Sequence, residues 1–67
     1  MNFNGEELML MMLYNSGTRL GLMQELRLMQ CDLRPDEIAL RELSEGVIEK
    51  LKLMTDAQFA EVEFPMN

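Results

Sequence analysis

Histidine and tryptophan are absent from this 67-residue chain, and cysteine occurs once, at Cys31. A single thiol cannot form an internal disulfide, and without histidine or a second cysteine it cannot anchor a zinc site. Catalysis at neutral pH usually recruits histidine or a carboxylate in a cleft, whereas the carboxylates here fall at helix starts or on polar stripes. We therefore predict a protein without metal, cofactor or enzymatic activity, in a reducing cytoplasmic setting.

Positive charge is also scarce. The chain has six lysine and arginine residues and twelve aspartate and glutamate residues, which gives a net charge of −6. This balance opposes tight, nonspecific binding to the phosphates of nucleic acid, and it favours basic proteins or ordinary protein surfaces as partners. Four arginines dispersed among the acids could contact DNA: Arg19, Arg27, Arg34 and Arg41. Direct nucleic-acid binding is an alternative that requires folding to gather these arginines on one face.

Long hydrophobic runs are missing as well. The run at residues 8–14 has seven apolar side chains, far fewer than the ~20 that span a bilayer, so we expect no membrane insertion. A hydrophobic fraction of 48% is nevertheless too high for a disordered chain, and we predict one folded domain over residues 1–67. Apolar side chains on every side of one helix exceed what a small core can cover, so part of the run is expected to meet a partner.

Capping signals divide the chain into three main helices and a short fourth, which predicts a small all-α three-helix bundle. Asn4 and Glu7 have capping-box spacing at the start of the first helix, and Gly17 is expected to end it. Thr18 is expected to cap a second helix that reaches about Gln30. The predicted buried face of this second helix consists of Leu22, Leu26 and Met29.

The second half of the chain contains the clearest helical pattern. Pro35 suits the first position of a helix, so the third helix is predicted from Pro35 to about Leu53, and Thr55 starts a second capping-box sequence. Residues 61–64 alternate as in an edge strand, which could pair with residues 1–4 at the two termini. The third helix has an inward stripe of Leu40, Leu43, Val47, Leu51 and Met54, and an outward stripe of Glu42, Glu45 and Glu49.

The three outward glutamates allow two interpretations. They are typical of a solvated helix surface, and they could also imitate phosphate spacing and occupy the basic surface of a DNA-binding protein. A calcium site would need ligands from a compact turn with a glycine at its bend, and no such loop is present in the sequence. The acidic-decoy interpretation requires a continuous acidic face in the folded protein.

The apolar run at residues 8–14 supplies the candidate partner-binding residues. We expect Glu6 and Glu7 to point outward, as charged residues at a helix start usually do. Their side of the helical wheel also carries Leu10, Leu13 and Tyr14, and the opposite side carries Leu8, Met9, Met11 and Met12. The first three would then form an exposed patch. In the alternative, the helix is sandwiched between the second and third helices, and these residues belong to the core.

Three segments together resemble one protein family. They are Phe3 with the capped acidic helix start, the sequence Leu-Tyr-Asn-Ser-Gly-Thr-Arg at residues 13–19, and the end of the third helix with its following capping box at residues 48–60. The chain resembles the transposon-transfer-assisting proteins, small helical proteins of bacterial conjugative transposons. The resemblance covers nearly the whole chain, is weakest at residues 31–35, and fails at Gly21, where the family leads us to expect an acidic residue.

The resemblance implies an accessory role in the transfer of a mobile element, through protein or DNA components of the transfer machinery. It carries over no active site, because the matching motifs are mainly caps and core positions. We therefore predict a non-enzymatic protein that binds a protein component of the transfer apparatus, or self-associates, through Leu10, Leu13 and Tyr14. Direct DNA binding through the arginines and the acidic decoy are the alternatives.

Overall fold

Four helices form the described part of the chain, residues 3–64 of the computed structural model: α1 (Gly5–Tyr14), α2 (Arg19–Cys31), α3 (Ile38–Leu53) and α4 (Asp56–Ala60). The predicted all-α fold of three main helices and a short fourth is confirmed. α1 and α2 pack against each other, and both pack against α3. Each of the three long helices therefore contacts the other two.

Side-chain caps start three of the helices, as predicted. Asn4 Oδ1 accepts a hydrogen bond from the Glu7 N–H at 2.8 Å, and Glu7 Oε1 accepts one from the Asn4 N–H at 2.9 Å. Thr18 Oγ1 accepts from a backbone N–H in the first turn of α2 at 3.0 Å. Thr55 starts α4 with a reciprocal pair of hydrogen bonds like the pair between Asn4 and Glu7. Each cap satisfies an N–H group that the first turn of a helix leaves without an internal partner.

The first helix ends earlier than predicted. α1 stops at Tyr14 rather than near Gly17, because Asn15 has extended dihedral angles and its side chain accepts a hydrogen bond from the Gly17 N–H at 2.9 Å. Gly17 has a φ of 96°, a conformation that favours glycine, but it lies within the connection to α2. A Cβ at Gly21 would clash with the Ser16 hydroxyl. Gly21 therefore lets this connection fold closely onto the first turn of α2.

The third helix begins later than predicted. The Glu37 N–H donates a hydrogen bond to the Arg34 carbonyl at 3.0 Å and closes a turn that contains Pro35. Glu37 has non-helical dihedral angles, so α3 begins at Ile38 rather than at Pro35. The fixed φ of proline suits the second position of such a turn as well as the first position of a helix, and the two cases have the same sequence signal.

The core lies between α1, α2 and α3. On α3, Val47 and Leu51 are buried as predicted, and Leu43 and Met54 are half-buried against the core. Leu40 is 36% exposed, so its predicted place in the inward stripe is wrong. The predicted buried face of α2 is confirmed. Within residues 3–64 the buried apolar side chains are Leu10, Met11, Leu22, Met23, Leu26, Met29, Val47, Ile48 and Leu51.

Polar contacts at both ends of α2 show that it runs antiparallel to α3. Gln30 Nε2 donates to the buried Ser44 hydroxyl at 2.8 Å near the end of α2. At its start, Arg19 donates to the Leu51 carbonyl and to Asp56 Oδ1, both at 2.8 Å. The Leu51 carbonyl lies in the last turn of α3, where it also accepts a 3.4 Å hydrogen bond from the Met54 N–H. Arg19 thus joins the start of α2 to the end of α3 and to α4.

Residues 61–64 do not form the predicted edge strand. The Val62 N–H donates to the Phe59 carbonyl at 3.0 Å and closes a turn after α4. Val62 and Phe64 are half-buried against the core, so their alternation with glutamates reflects packing rather than strand pairing. Residues 1–2 of the predicted partner strand lie outside the described residues, and residues 3–64 contain no strand.

We predict that Thr55→Ala lowers the free energy of unfolding by about 1 kcal/mol, the usual contribution of an N-cap. The substitution removes the acceptor of the Gln58 N–H, which lies 3.1 Å from the Thr55 hydroxyl. Thr55→Ser keeps a hydroxyl and should have a smaller effect. Urea unfolding followed by circular dichroism measures both variants. An unchanged midpoint in the alanine variant would show that α4 does not depend on this cap.

Candidate interaction surface

A buried carboxylate lies between α1 and α3. Glu7 is 5% exposed, and its Oε1 accepts hydrogen bonds from Lys50 Nζ at 2.6 Å and from the Asn4 N–H at 2.9 Å. Its other oxygen approaches Gly46 on α3. Lys50 Nζ also lies 5.5 Å from the centroid of the Phe3 ring, within the range of a cation–π contact. One cation on α3 therefore contacts both the first turn of α1 and Phe3, two residues before the helix begins.

The charge of Glu7 is stabilised despite its burial. Burial by itself raises the pKa of a carboxyl group, because it penalises the charged form. The hydrogen bond from Lys50, the hydrogen bond from the Asn4 N–H and the positive charge of Lys50 together outweigh this penalty, and they hold the pKa of Glu7 below its ordinary value of 4.5. Glu7 is therefore ionised at neutral pH and forms an ion pair with Lys50.

The burial of Glu7 determines which side of α1 faces the core. The residues at helical spacing from Glu7 turn inward with it: Leu10, Met11 and Tyr14. Leu10 is 6% exposed, so the prediction that it faces outward is wrong. The predicted inward positions of Met9 and Met12 are also wrong, because these side chains are 63% and 41% exposed. These errors, together with the outward orientation predicted for Tyr14, have one cause, the expectation that Glu7 faces solvent.

Met9, Met12 and Leu13 form an apolar strip on the solvent side of α1, which we call the outer face of α1. Their spacing of i, i+3 and i+4 places them side by side on one helix surface. Leu13 is 78% exposed, which confirms its predicted outward orientation. Glu6, one turn before Met9, is also exposed, and α1 contains no basic residue. The outer face of α1 is thus apolar with an acidic neighbour.

Tyr14 is half-buried, and it packs against the core. It also lines a groove together with residues of α2 and α3. The three residues predicted for partner binding therefore occupy different environments: Leu13 lies on the outer face of α1, Tyr14 lies at the groove, and Leu10 lies in the core. The fold does not bring them together on one exposed surface.

The four arginines are not gathered on one face. Arg19 is bound to Asp56 and to the end of α3, and its side chain is 18% exposed. Arg34 follows the opposite end of α2, a helix of 13 residues that is about 20 Å long. Arg27 is exposed on α2, and Arg41 is half-buried on α3. Within residues 3–64, ion pairing by arginine is limited to Arg19.

The acidic stripe of α3 is exposed along its length. Glu42, Glu45 and Glu49 all face solvent, and Glu49 Oε1 lies 3.3 Å from Lys52 Nζ.

Cys31, the last residue of α2, is an exposed free thiol. Among the described residues, no group of three or more histidine, cysteine or acidic side chains is arranged to hold a metal ion. Across residues 3–64, every helix is too short or too polar to cross a bilayer.

The sequence contains a signal that could have identified Met9 and Met12 as exposed. Glu7 is the third residue of a capped helix, where a capping-box side chain turns back toward the backbone, and Lys50 lies in the last turns of α3. If Glu7 contacts Lys50, the side of α1 that is predicted to face solvent carries Met9 and Met12 rather than Leu10.

A protein-family model described as "Putative transposon-transfer assisting protein" matches residues 3–65. The chain belongs to this family. The match covers all four helices, so it confirms the resemblance predicted from the sequence, and the family name indicates a role in assisting transposon transfer. No curated protein and no solved structure matches the chain significantly.

We predict that the ion pair between Glu7 and Lys50 makes the stability of this family member sensitive to acid. A carboxyl group whose pKa is lowered by folding contributes its full stabilisation above its ordinary pKa of 4.5, and it loses that contribution as the pH falls through the pKa of the folded protein. Below pH 4.5 the free energy of unfolding should therefore fall more steeply in the native protein than in Glu7→Gln. Urea unfolding at several pH values measures both slopes.

Glu6→Gln is the control for this experiment, because it removes an exposed carboxylate from the same helix turn and keeps the ion pair. It should retain the steep acid slope of the native protein. Equal slopes in the native protein and in Glu7→Gln would contradict the assigned role of the pair.

A second comparison tests the orientation of α1. Leu10→Asn should lower the free energy of unfolding by about 3 kcal/mol or more, because it replaces a core leucine by a polar side chain. Leu13→Asn should change it by no more than about 0.5 kcal/mol, as surface substitutions usually do. Thermal and urea unfolding by circular dichroism measure both variants. Similar losses in the two variants would show that α1 is oriented differently.

Proposed function

We propose that this member of the transposon-transfer assisting family is a non-enzymatic accessory protein that contacts a protein component of the transfer machinery through the outer face of α1. The observation that carries the proposal is the exposure of Leu13, at 78%, on a helix whose opposite side already fills the core. Burying a leucine of this kind against a partner gains on the order of 1 to 2 kcal/mol. A partner surface is the natural place for such a side chain.

The composition of the outer face supports protein recognition. Single exposed apolar residues are common on protein surfaces, but Met9, Met12 and Leu13 are neighbours on one helix, and clustered apolar residues mark interaction sites. Methionine is unbranched and polarizable, so Met9 and Met12 can adapt to the shape of a partner. The absence of basic residues in α1 adds a preference for partners that are not acidic.

The exposed acidic stripe of α3 supports a second candidate function, the acidic decoy. Glu42, Glu45 and Glu49 could meet the basic surface of a DNA-binding protein, although Lys52 partly offsets Glu49. Direct nucleic-acid binding has less support, because Arg19 is already bound to Asp56 and Arg34 lies beyond the other end of α2. The net charge of −6 also opposes binding to phosphates.

The proposal predicts that the double variant Met12→Gln, Leu13→Gln folds normally but loses its partner. In cells that carry the intact mobile element, tagged protein should capture a component of the transfer apparatus, and transfer frequency should depend on the chain. Both quantities should drop by on the order of tenfold in the variant, because truncating an interface anchor costs more than about 1 kcal/mol. Circular dichroism checks that the variant keeps its helices.

The matched control is the double variant Leu20→Gln, Leu53→Gln. These leucines are 60% and 72% exposed on α2 and α3, so the control removes similar apolar surface elsewhere. Equal effects of the two double variants would contradict the proposal.

Fluorescence anisotropy supplies a further check: a micromolar complex with labelled DNA that weakens steeply with salt would favour the arginines instead. A Glu42→Gln, Glu45→Gln variant, which removes two negative charges from the acidic stripe, would favour the decoy if it alone loses the partner.

A further inference from the structure

A groove of about 350 Å³ lies where the end of α1, the second half of α2 and the start of α3 meet. Its apolar lining consists of Tyr14, Leu28, Met29, Leu33 and Leu40. Leu28 is 62% exposed and Leu40 is 36% exposed, so apolar side chains from two helices are open to solvent on its walls. This concave surface is separate from the outer face of α1, because neither Met9, Met12 nor Leu13 lines it.

Two carboxylates border the same groove. Glu25 and Asp32 both line it, and their spacing of seven residues puts them about 10 Å apart along the axis of α2, on the same side of the helix. Within the described part of the chain, neither side chain forms an ion pair or a hydrogen bond. The residues that line the groove include no lysine or arginine. The groove therefore combines an apolar lining with two carboxylates that form no ion pair among the described residues.

We infer that this groove binds an amphipathic helical segment of another protein, with bulky apolar side chains in the groove and two basic side chains facing Glu25 and Asp32. Arginine or lysine residues two turns apart on a helix match the spacing of these carboxylates, and oppositely charged flanks fix the register of an apolar anchor. This inference goes beyond the outer face of α1: it adds a second contact site and assigns the charge of its ligand.

Two other occupants fit the groove less well. A second copy of the chain brings another net charge of −6, so the two copies repel each other. A nucleic acid brings phosphates toward the unpaired carboxylates of Glu25 and Asp32. A basic segment is attracted by the same two groups, and its apolar side chains remove Leu28 and Leu40 from water.

The test uses the full chain and two labelled peptides of about 14 residues, which corresponds to four helical turns. Both peptides carry leucines at i, i+3, i+4 and i+7. One has arginines on the flanks of this stripe, and its twin has glutamates at the same positions. Fluorescence anisotropy should show saturable, micromolar binding of the arginine peptide and at least about tenfold weaker binding of the glutamate twin. Equal binding of the two peptides, or no binding of either, would overturn the inference.

Leu28→Gln tests the apolar lining of the groove. It should weaken binding of the arginine peptide by about tenfold, as loss of an interface anchor usually does. Leu20→Gln is the matched control, because Leu20 lies on the same helix and is 60% exposed but does not line the groove. That control and Leu13→Gln should leave the affinity within about twofold. Equal losses in Leu20→Gln or Leu13→Gln would remove the site from the groove, and the latter would assign the peptide to the outer face of α1.

The double variant Glu25→Gln, Asp32→Asn tests the charges. It should weaken binding about threefold or more at low salt, with a smaller effect at high salt. The double variant Glu42→Gln, Glu45→Gln changes the net charge equally on the exposed surface of α3, so it separates a local effect from a general one. Equal weakening in both double variants would overturn the assigned role of Glu25 and Asp32. The peptide experiment needs no transfer machinery, so its failure and that of the outer-face proposal are separate results.

Discussion

A carboxylate that is withdrawn from water needs a cation and hydrogen-bond donors close to it, and Glu7 finds both at the junction of α1 and α3. The Asn4 N–H comes from the start of its own helix, and Lys50 comes from α3. Because Glu7 is part of α1, this contact also fixes the rotation of α1 about its axis. The buried position of Leu10 and the exposed position of Met9 both follow from that rotation.

The size of the core explains why apolar surface remains open elsewhere. Three helices built around few buried side chains cannot cover one another completely, and Leu13 and Leu28 remain in solvent on different helices. A partner that covers them would add apolar burial that so short a chain cannot supply by itself. Because such a partner would bind only the folded form, its binding would raise the stability of the folded chain.

Much of the fold could be predicted because its signals are local. The caps at Asn4, Thr18 and Thr55 depend on residues three positions away, and the sequence shows this spacing directly. The start of α3 is harder to predict from the sequence, because Pro35 suits a turn and a helix start equally. The orientation of α1 depends on a contact between residues 43 positions apart, Glu7 and Lys50. The groove is harder still to predict from the sequence, since three helices must pack before Leu28 and Leu40 share a surface.

The single cysteine has a practical consequence because of its position. Cys31 is exposed at the last residue of α2, and the next residue, Asp32, lines the groove between the three helices. A maleimide dye can therefore be attached at one known place in the native sequence, without first removing competing thiols. The dye would sit beside the groove and far along the chain from Met9 and Met12. Its emission would respond to a molecule that enters the groove.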